Sequence, residues 1–254
     1  MRPLSVRLIE SALLTAWPAL KTAYDGTWLW RYANGYSKRV NSINYHDAND
    51  GEHADYRLAR FTELSVQSGI APVARITPLT PTDVLKVLDQ QGWTELDPSM
   101  VMAMELPAAD FEVAHPVKLL DPWDPAWFRA ASHMGGQAAD SISAFTAILE
   151  HIGCVSQGVL IYHKAGLPVA SALVGLSNGV AVIGAVASHP SARGKGFGRA
   201  AVAAALNYSR AQGARHAALA VVADNTPAIG LYQSFGFGDV YDYAYRVAPD
   251  RSRS

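Results

Sequence analysis

Ser188-His189-Pro190-Ser191-Ala192-Arg193-Gly194-Lys195-Gly196-Phe197-Gly198-Arg199-Ala200 joins an apolar run, Val180 to Ser188, to an alanine-rich run that Gly213 closes. The first run has the β-branching of a strand and the second has the composition of a helix. A strand that enters a helix through glycines leaves the first helical amides unpaired, and they carry partial positive charge. Glycine also lets a ligand approach the backbone closely. Arg193, Lys195 and Arg199 add formal charge, and no Asp or Glu occurs from His151 to Ala223 to oppose it. The stretch reads as an anion cradle whose natural guest is a diphosphate.

Order and length bear on which diphosphate. Gly196, Gly198 and Ala201 satisfy the G-x-G-x-x-A form of the dinucleotide fingerprint, and Asp224 lies roughly where a ribose-binding acid belongs. A doubly wound nucleotide fold needs several further strand-helix units, whereas one short helix and two strands follow here. The Walker pattern is absent, which weakens a phosphoryl-transfer reading.

Arg193 to Gly198 matches R/Q-x-x-G-x-G/A, and Asn225-Thr226-Pro227-Ala228-Ile229-Gly230-Leu231-Tyr232-Gln233-Ser234-Phe235-Gly236-Phe237 resembles N-x-x-A-x-x-x-Y-x-x-x-G-F. In this order, with a helix and a strand between, the two resemble the motifs of the GNAT superfamily of acyl-CoA-dependent N-acyltransferases. The resemblance covers about Gly158 to Val247. It implies an α/β (α+β) GNAT fold, a mixed central sheet flanked by helices, with acetyl-CoA as cosubstrate and no metal.

By the same resemblance, backbone groups of Gly194, Lys195, Gly196, Phe197, Gly198 and Arg199 hold the coenzyme diphosphate, flanked by Arg193 and Ala200. The strand edge at Ala185, Val186, Ala187 and Ser188 pairs with the pantetheine amides. Asn225, beside Ala228, contacts the coenzyme arm, and Tyr232 corresponds to the tyrosine that protonates the departing thiolate. A phenol suits that step because the thiolate is a base of comparable strength. One feature departs from the family: Val180 to Ala187 holds no glutamate to act as base. Deprotonation then falls to a water chain or to a residue such as His133, Asp140, His163 or His189. The implied activity is acetyl transfer to a primary amine of a small molecule or peptide. The missing glutamate also admits a second reading, a coenzyme-binding sensor or interaction module without turnover.

The rest of the chain frames this reading. It has 254 residues, half of them hydrophobic, with 21 basic and 22 acidic side chains and a formal net charge of -1. Such a balance offers no broad attraction to nucleic acid or an anionic membrane. The single cysteine, Cys154, excludes an internal disulfide and fits a reducing cytoplasm. The amino terminus lacks an apolar run of export or spanning length. Eight histidines show no metal-binding spacing. Gly175 to Gly179 has the G-x-S-x-G spelling of a hydrolase elbow, but it turns strand into strand rather than strand into helix.

Apolar spacing predicts helices over residues 5–17, 52–67, 82–88, 141–152, 196–212 and from Thr226. Strands are predicted over 73–77, 100–106, 158–163, 168–176, 180–188, 216–223 and 241–247. Asn34-Gly35 predicts a tight hairpin between strands at 27–33 and 36–45. Leu88 to Trp93 followed by a strand echoes Tyr232 to Phe237 followed by a strand: helix, glycine, aromatic, strand. The echo suggests a tandem pair, with a degenerate GNAT-like unit at 1–110, a linker at 111–126 and the motif-bearing domain at 127–254. Trp28, Trp30, Tyr32 and Tyr36, with Lys38, Arg39, Asn41 and Asn44, are candidates for one wall of an acceptor cleft between the halves.

Overall fold

A computed structural model describes residues 4–164 and 166–249. The chain opens with α1 (Val6–Ala16), capped by the Ser5 hydroxyl, which accepts from the Leu8 amide at 3.2 Å. Next come β1 (Lys21–Asp25), β2 (Trp28–Tyr32), β3 (Ile43–Tyr45), α2 (Ala54–Gln67), β4 (Val73–Ile76), α3 (Thr82–Gln90) and β5 (Thr94–Glu105). The remainder runs β6 (Val117–Leu120), α4 (Pro125–Met134), α5 (Ile142–Glu150), β7 (Val155–Tyr162), β8 (Pro168–Ser177) and β9 (Val180–Ser188). It closes with α6 (Phe197–Ala211), β10 (His216–Val222), α7 (Thr226–Gln233) and β11 (Gly238–Val247).

The eleven strands of the described residues form one mixed sheet in the order β1-β2-β3-β4-β11-β5-β10-β9-β8-β7-β6. The echo in the sequence has a counterpart here. β3-α2-β4-α3-β5 and β9-α6-β10-α7-β11 share one sequence of elements, each with a parallel pair joined through a helix, Ile43 opposite Ala74 and His216 opposite Val180. The last strand of each series is inserted into the other. β11 lies antiparallel between β4 and β5, and β5 lies antiparallel between β11 and β10. Neither series therefore has a complete sheet without its counterpart.

Side-chain alternation builds the two layers around the sheet. Val159, Ile161, Ala170, Ala172, Val174, Ala181 and Ile183 pack under α6, whose small residues Ala200, Ala201, Ala203, Ala204 and Ala205 permit close approach. On the opposite face Val180 and Val182 meet Ile9, Ala12, Leu13 and Ala16 of α1, while Leu160 and Leu173 meet Trp127 and Phe145. Gly158 lies flat beneath Trp127: a Cβ there would fall 2.6 Å from the indole, whose Nε1 donates to the Val159 and Ala172 carbonyls. A separate cluster of Trp28, Trp30, Tyr45, Leu58, Phe61 and Trp93 holds the amino-terminal sheet to α2 and α3.

Two expectations need correction. The tight amino-terminal turn lies at Gly26 (φ +58°), between β1 and β2, and not at Asn34-Gly35. Asn34 and Gly35 do adopt positive φ, but the chain beyond them forms a loop containing a short 3-10 turn, Lys38–Val40, before β3. Asn41 closes that loop, because its Oδ1 accepts from the Ala33 and Gly35 amides while its Nδ2 donates to the Ser37 carbonyl. Internal polar groups satisfy the backbone there, so the strands need not pair to the tip. Within the stretch read as a linker, Val117–Leu120 is a strand, paired antiparallel to Gly158–Ile161 at the sheet edge.

Candidate active site

β9 and β10 run together for three registered pairs, His216 with Val180 through Ala218 with Val182, and then separate. β10 stays paired to β5 as far as Val222, so the sheet splays open along Ile183 to Ser188. A bulge fixes the departure. Ser171 pairs with Ala187 and Leu173 with Gly184, which sets two residues of β9 against one of β8. One of the two, Ala185, sits at φ +47°, and its carbonyl accepts from Ser171 Oγ at 3.2 Å. An alanine in the left-handed region costs on the order of 1 kcal/mol, so the surrounding pairing must hold it there. The edge at Ala185, Val186, Ala187 and Ser188 consequently faces away from any strand on its β10 side.

Beyond β9 the chain makes a short 3-10 turn, Pro190–Ala192, capped by the His189 ring, which accepts from the Ser191 amide. Gly194 (φ +73°) and Gly196 (φ +81°) then bring it to the start of α6. Gly196 is the N-cap and supplies no side chain, so the amides of the first turn, Phe197, Gly198 and Arg199, keep their donors. Gly198 closes the cradle from below. A Cβ there would lie 3.2 Å from Ser188 Oγ and 3.9 Å from Leu231 Cδ2.

The charges beside the cradle divide by role. Lys195 donates to the Ser191 carbonyl at 2.9 Å, bracing the turn. Arg199 is tied to Ser234 Oγ at 2.6 Å and lies over the Phe235 ring at 4.4 Å, so its guanidinium is drawn toward α7. Phe197 and Ala200 are buried core residues that can offer a ligand only their backbone. Arg193 is exposed. Residues 111–115 come alongside: Phe111 is clamped by Asn207, which accepts from its amide and donates to its carbonyl at 2.8 Å each. The His115 ring lies 4.4 Å from that of Phe197. With Gly196, Arg199 and Phe235, the segment lines a recess of about 230 Å³, and it brings Glu112 to a cradle whose neighbouring sequence holds no acid.

Asn225 caps α7, its Oδ1 accepting from the Ala228 amide at 3.3 Å, and Ala228 packs on the core. Tyr232, one turn further on, stands edge-on to Phe237 at 5.9 Å, and its hydroxyl makes no hydrogen bond among the described residues. Burial pushes the phenol above its ordinary value, opposed by the positive charge of Arg39 from the other half of the chain.

A cavity of about 550 Å³ occupies the junction of the two halves. One wall is the splayed edge, Ile183 to Ala187; the others are the end of α1, the loop at Tyr36 to Arg39, Asp97 and Ser99 of β5, Gln137, and Tyr243 and Tyr245 of β11. Tyr36, Lys38 and Arg39 line this cavity. Trp28, Trp30, Asn41 and Asn44 are buried inside the amino-terminal half, and Tyr32 stacks on Trp30 at 5.8 Å away from the cleft. Nor do His133, His163 and His189 line it; His133 stacks on His189 at 5.8 Å. The side chain of Asp140 lies outside the described residues. Sequence reasoning missed Asp97, Ser99, Tyr243 and Tyr245, because β5 and β11 meet the cleft only through their mutual insertion. Among the described residues, no three of His, Cys, Asp and Glu gather as a metal site would require, and no helix is long and apolar enough to cross a membrane.

A GCN5-related N-acetyltransferase from Kribbella flavida superimposes with a TM-score of 0.74 over 98% of this chain and 97% of that one, at 19% identity. A tandem GNAT protein from the clavulanic acid biosynthesis pathway gives 0.67 over 94% and 87%, at 15% identity. At the level of sequence, 48 residues are 48% identical to the mycothiol acetyltransferase of Renibacterium salmoninarum, a match spanning 19% of this chain and 14% of that protein. Residues 4–246 match the family model described as "Probable histone acetyltransferase Rv0428c C-terminal". Since that match runs from α1 through nearly all of β11, both halves of the sheet are included, and the chain belongs to this acetyltransferase family, with the fold of GCN5-related N-acetyltransferases.

Proposed function

We propose that the protein transfers an acetyl group from acetyl-CoA to a primary amine, both substrates being bound at once. The splay between β9 and β10, ending at the unblocked amino terminus of α6, is the observation that carries this reading. The cradle suits a diphosphate, because glycine occupies the positions where a side chain would be strained or crowded and the first-turn amides are unclaimed. Gly194 to Arg199 would hold the diphosphate, and the edge at Ala185 to Ser188 would pair with the pantetheine amides as an added strand does. Asn225 would support the coenzyme arm through the start of α7. The thioester supplies an activated acetyl carbon.

In the reaction the amine nitrogen forms a bond to that carbon while the carbon-sulphur bond breaks. Tyr232 gives its proton to the departing sulphur and takes one back from solvent, while the amine loses one proton to solvent in the cleft. Both substrates have an approach, the coenzyme along the splayed edge and the acceptor through the cavity between the halves. The test is release of free thiol from acetyl-CoA by the purified chain. Release that requires an amine supports the reading. Coenzyme binding without turnover across amines, peptides and aminoglycosides would instead support a sensor.

A further inference from the structure

The cleft carries more positive charge than its own carboxylates neutralise. Lys38 is engaged by Asp97 at 2.7 Å. Arg39, which also lines the cavity, has no carboxylate partner among the described residues; it donates to the Tyr243 phenol and keeps further guanidinium donors. Behind it lie two further buried guanidiniums. Arg31 is spent on backbone, donating to the carbonyls of Arg39, Leu14 and Trp17. Arg75 pairs with Glu10, the one buried carboxylate in the group, and its guanidinium lies 4.1 Å from the centre of the Tyr243 ring. Three guanidiniums therefore face one carboxylate, and the cation without an ion pair is the one at the cavity wall.

We propose that the acceptor is a small amine that also carries a carboxylate, and that Arg39 binds this carboxylate within the cleft. The inference rests on the acetyltransferase reading and narrows its substrate class. A guanidinium offers paired donors that match a carboxylate, and such charge-assisted bonds are strong where water is excluded. The cavity volume, about 550 Å³, suits a small molecule. Burial acts to raise the Tyr243 phenol, but the positive charges of Arg39 and Arg75, with hydrogen bonds to Ser99 and to Arg39 itself, outweigh it and bring the phenol below its ordinary value. The same field repels a lysine-rich peptide.

The test compares L-amino acids with their primary amides as acceptors at saturating acetyl-CoA, in the wild type, Arg39→Gln and Arg39→Lys. Wild type is expected to favour the acids by roughly tenfold or more in kcat/KM. In Arg39→Gln the acids should fall to the level of the amides, mainly through KM, and Arg39→Lys should restore part of the preference. Equal use of amides, preference for a lysine-rich peptide, or an unchanged preference in Arg39→Gln would overturn the proposal. Calorimetry of the coenzyme A-loaded wild type with N-acetylglycine and N-acetylglycinamide decides the point without turnover or any variant. Tighter binding of the acid supports the assignment, and equal binding or none refutes it. Failure to bind acetyl-CoA would sink the acetyltransferase reading itself, whereas thiol release with neutral amines alone would sink only this narrowing of it.

Discussion

Glu10 of α1 and Arg75 of β4 form an ion pair buried at both ends, with side-chain exposures of 3% and 4%, and the Tyr241 hydroxyl of β11 donates to the same carboxylate. Three distant parts of the chain are fastened at one point. Removing one charge leaves the other buried and unpaired, which typically costs about 3 to 5 kcal/mol. Glu10→Ala should therefore lower the melting temperature by about 10 °C in a protein of this size. Replacing both partners with methionine should cost less than the single change. Equal melting temperatures for the single variant and the wild type, by calorimetry, would show that the pair contributes nothing.

Tyr232→Phe separates catalysis from binding. The ring keeps its packing against Phe237, and only the hydroxyl, which has no partner among the described residues, is lost. Turnover should fall by about 10² to 10⁴ with coenzyme affinity nearly unchanged. Full activity would assign the acid role to water or another side chain.

The cradle can be blocked where it is built. In Gly196→Asp, Gly198→Asp, carboxylates stand at the N-cap and first turn of α6, where a diphosphate should sit. Acetyl-CoA raises the melting temperature of the wild type if it binds the folded state, and the double variant should lose this rise. Circular dichroism checks that the variant is folded. An unchanged coenzyme affinity in a folded variant would refute the cradle.

Asp50 makes stability depend on acid. Its carboxylate accepts from Arg57 at 2.7 Å and from the Thr27 amide and hydroxyl at 2.8 and 2.7 Å, beneath Gly26 of the first hairpin. Hydrogen bonding to Arg57 dominates and, helped by Thr27, holds the carboxyl well below its ordinary value against the opposing effect of burial. A folded value depressed in this way stabilises the protein above the unfolded carboxyl pKa of about 4, and the contribution disappears as pH falls through the folded value. Asp50→Asn should cost about 2 kcal/mol at pH 7, and the gap to wild type should narrow steadily below pH 4. A gap independent of pH in denaturant titrations would contradict this.

Mutual insertion of β5 and β11 bears on the two proposed units. A fragment of residues 1–112 lacks β11, which leaves a strand-wide gap between β4 and β5, and a fragment of 113–254 lacks β5 between β10 and β11. Unpaired edges of this kind aggregate. Each fragment should be insoluble or unfolded alone, and the two should copurify when expressed together. A soluble amino-terminal fragment with cooperative unfolding would show that the first series folds without its counterpart.

Local structure was legible in the sequence because it depends on neighbours along the chain. Gly194, Gly196 and Gly198 announced a strand-to-helix turn with free amides, and the Asn225 cap, Tyr232 and Gly236 marked a short helix before a final strand. Most helices and strands followed from apolar period, since burial on one face imposes that period. Asn34-Gly35 misled because the dipeptide specifies positive φ at two residues and nothing about whether the strands beyond it pair. Only the tertiary structure decided the cleft. Arg39, Asp97, Tyr243 and the edge at Ala185 are far apart in the chain, and exchange of β5 and β11 between two element series brings them to one cavity. Strand pairing is a long-range choice among compatible edges, so the sequence alone determined the elements and the glycine turn into α6, while packing of the whole sheet determined which side chains line the cavity.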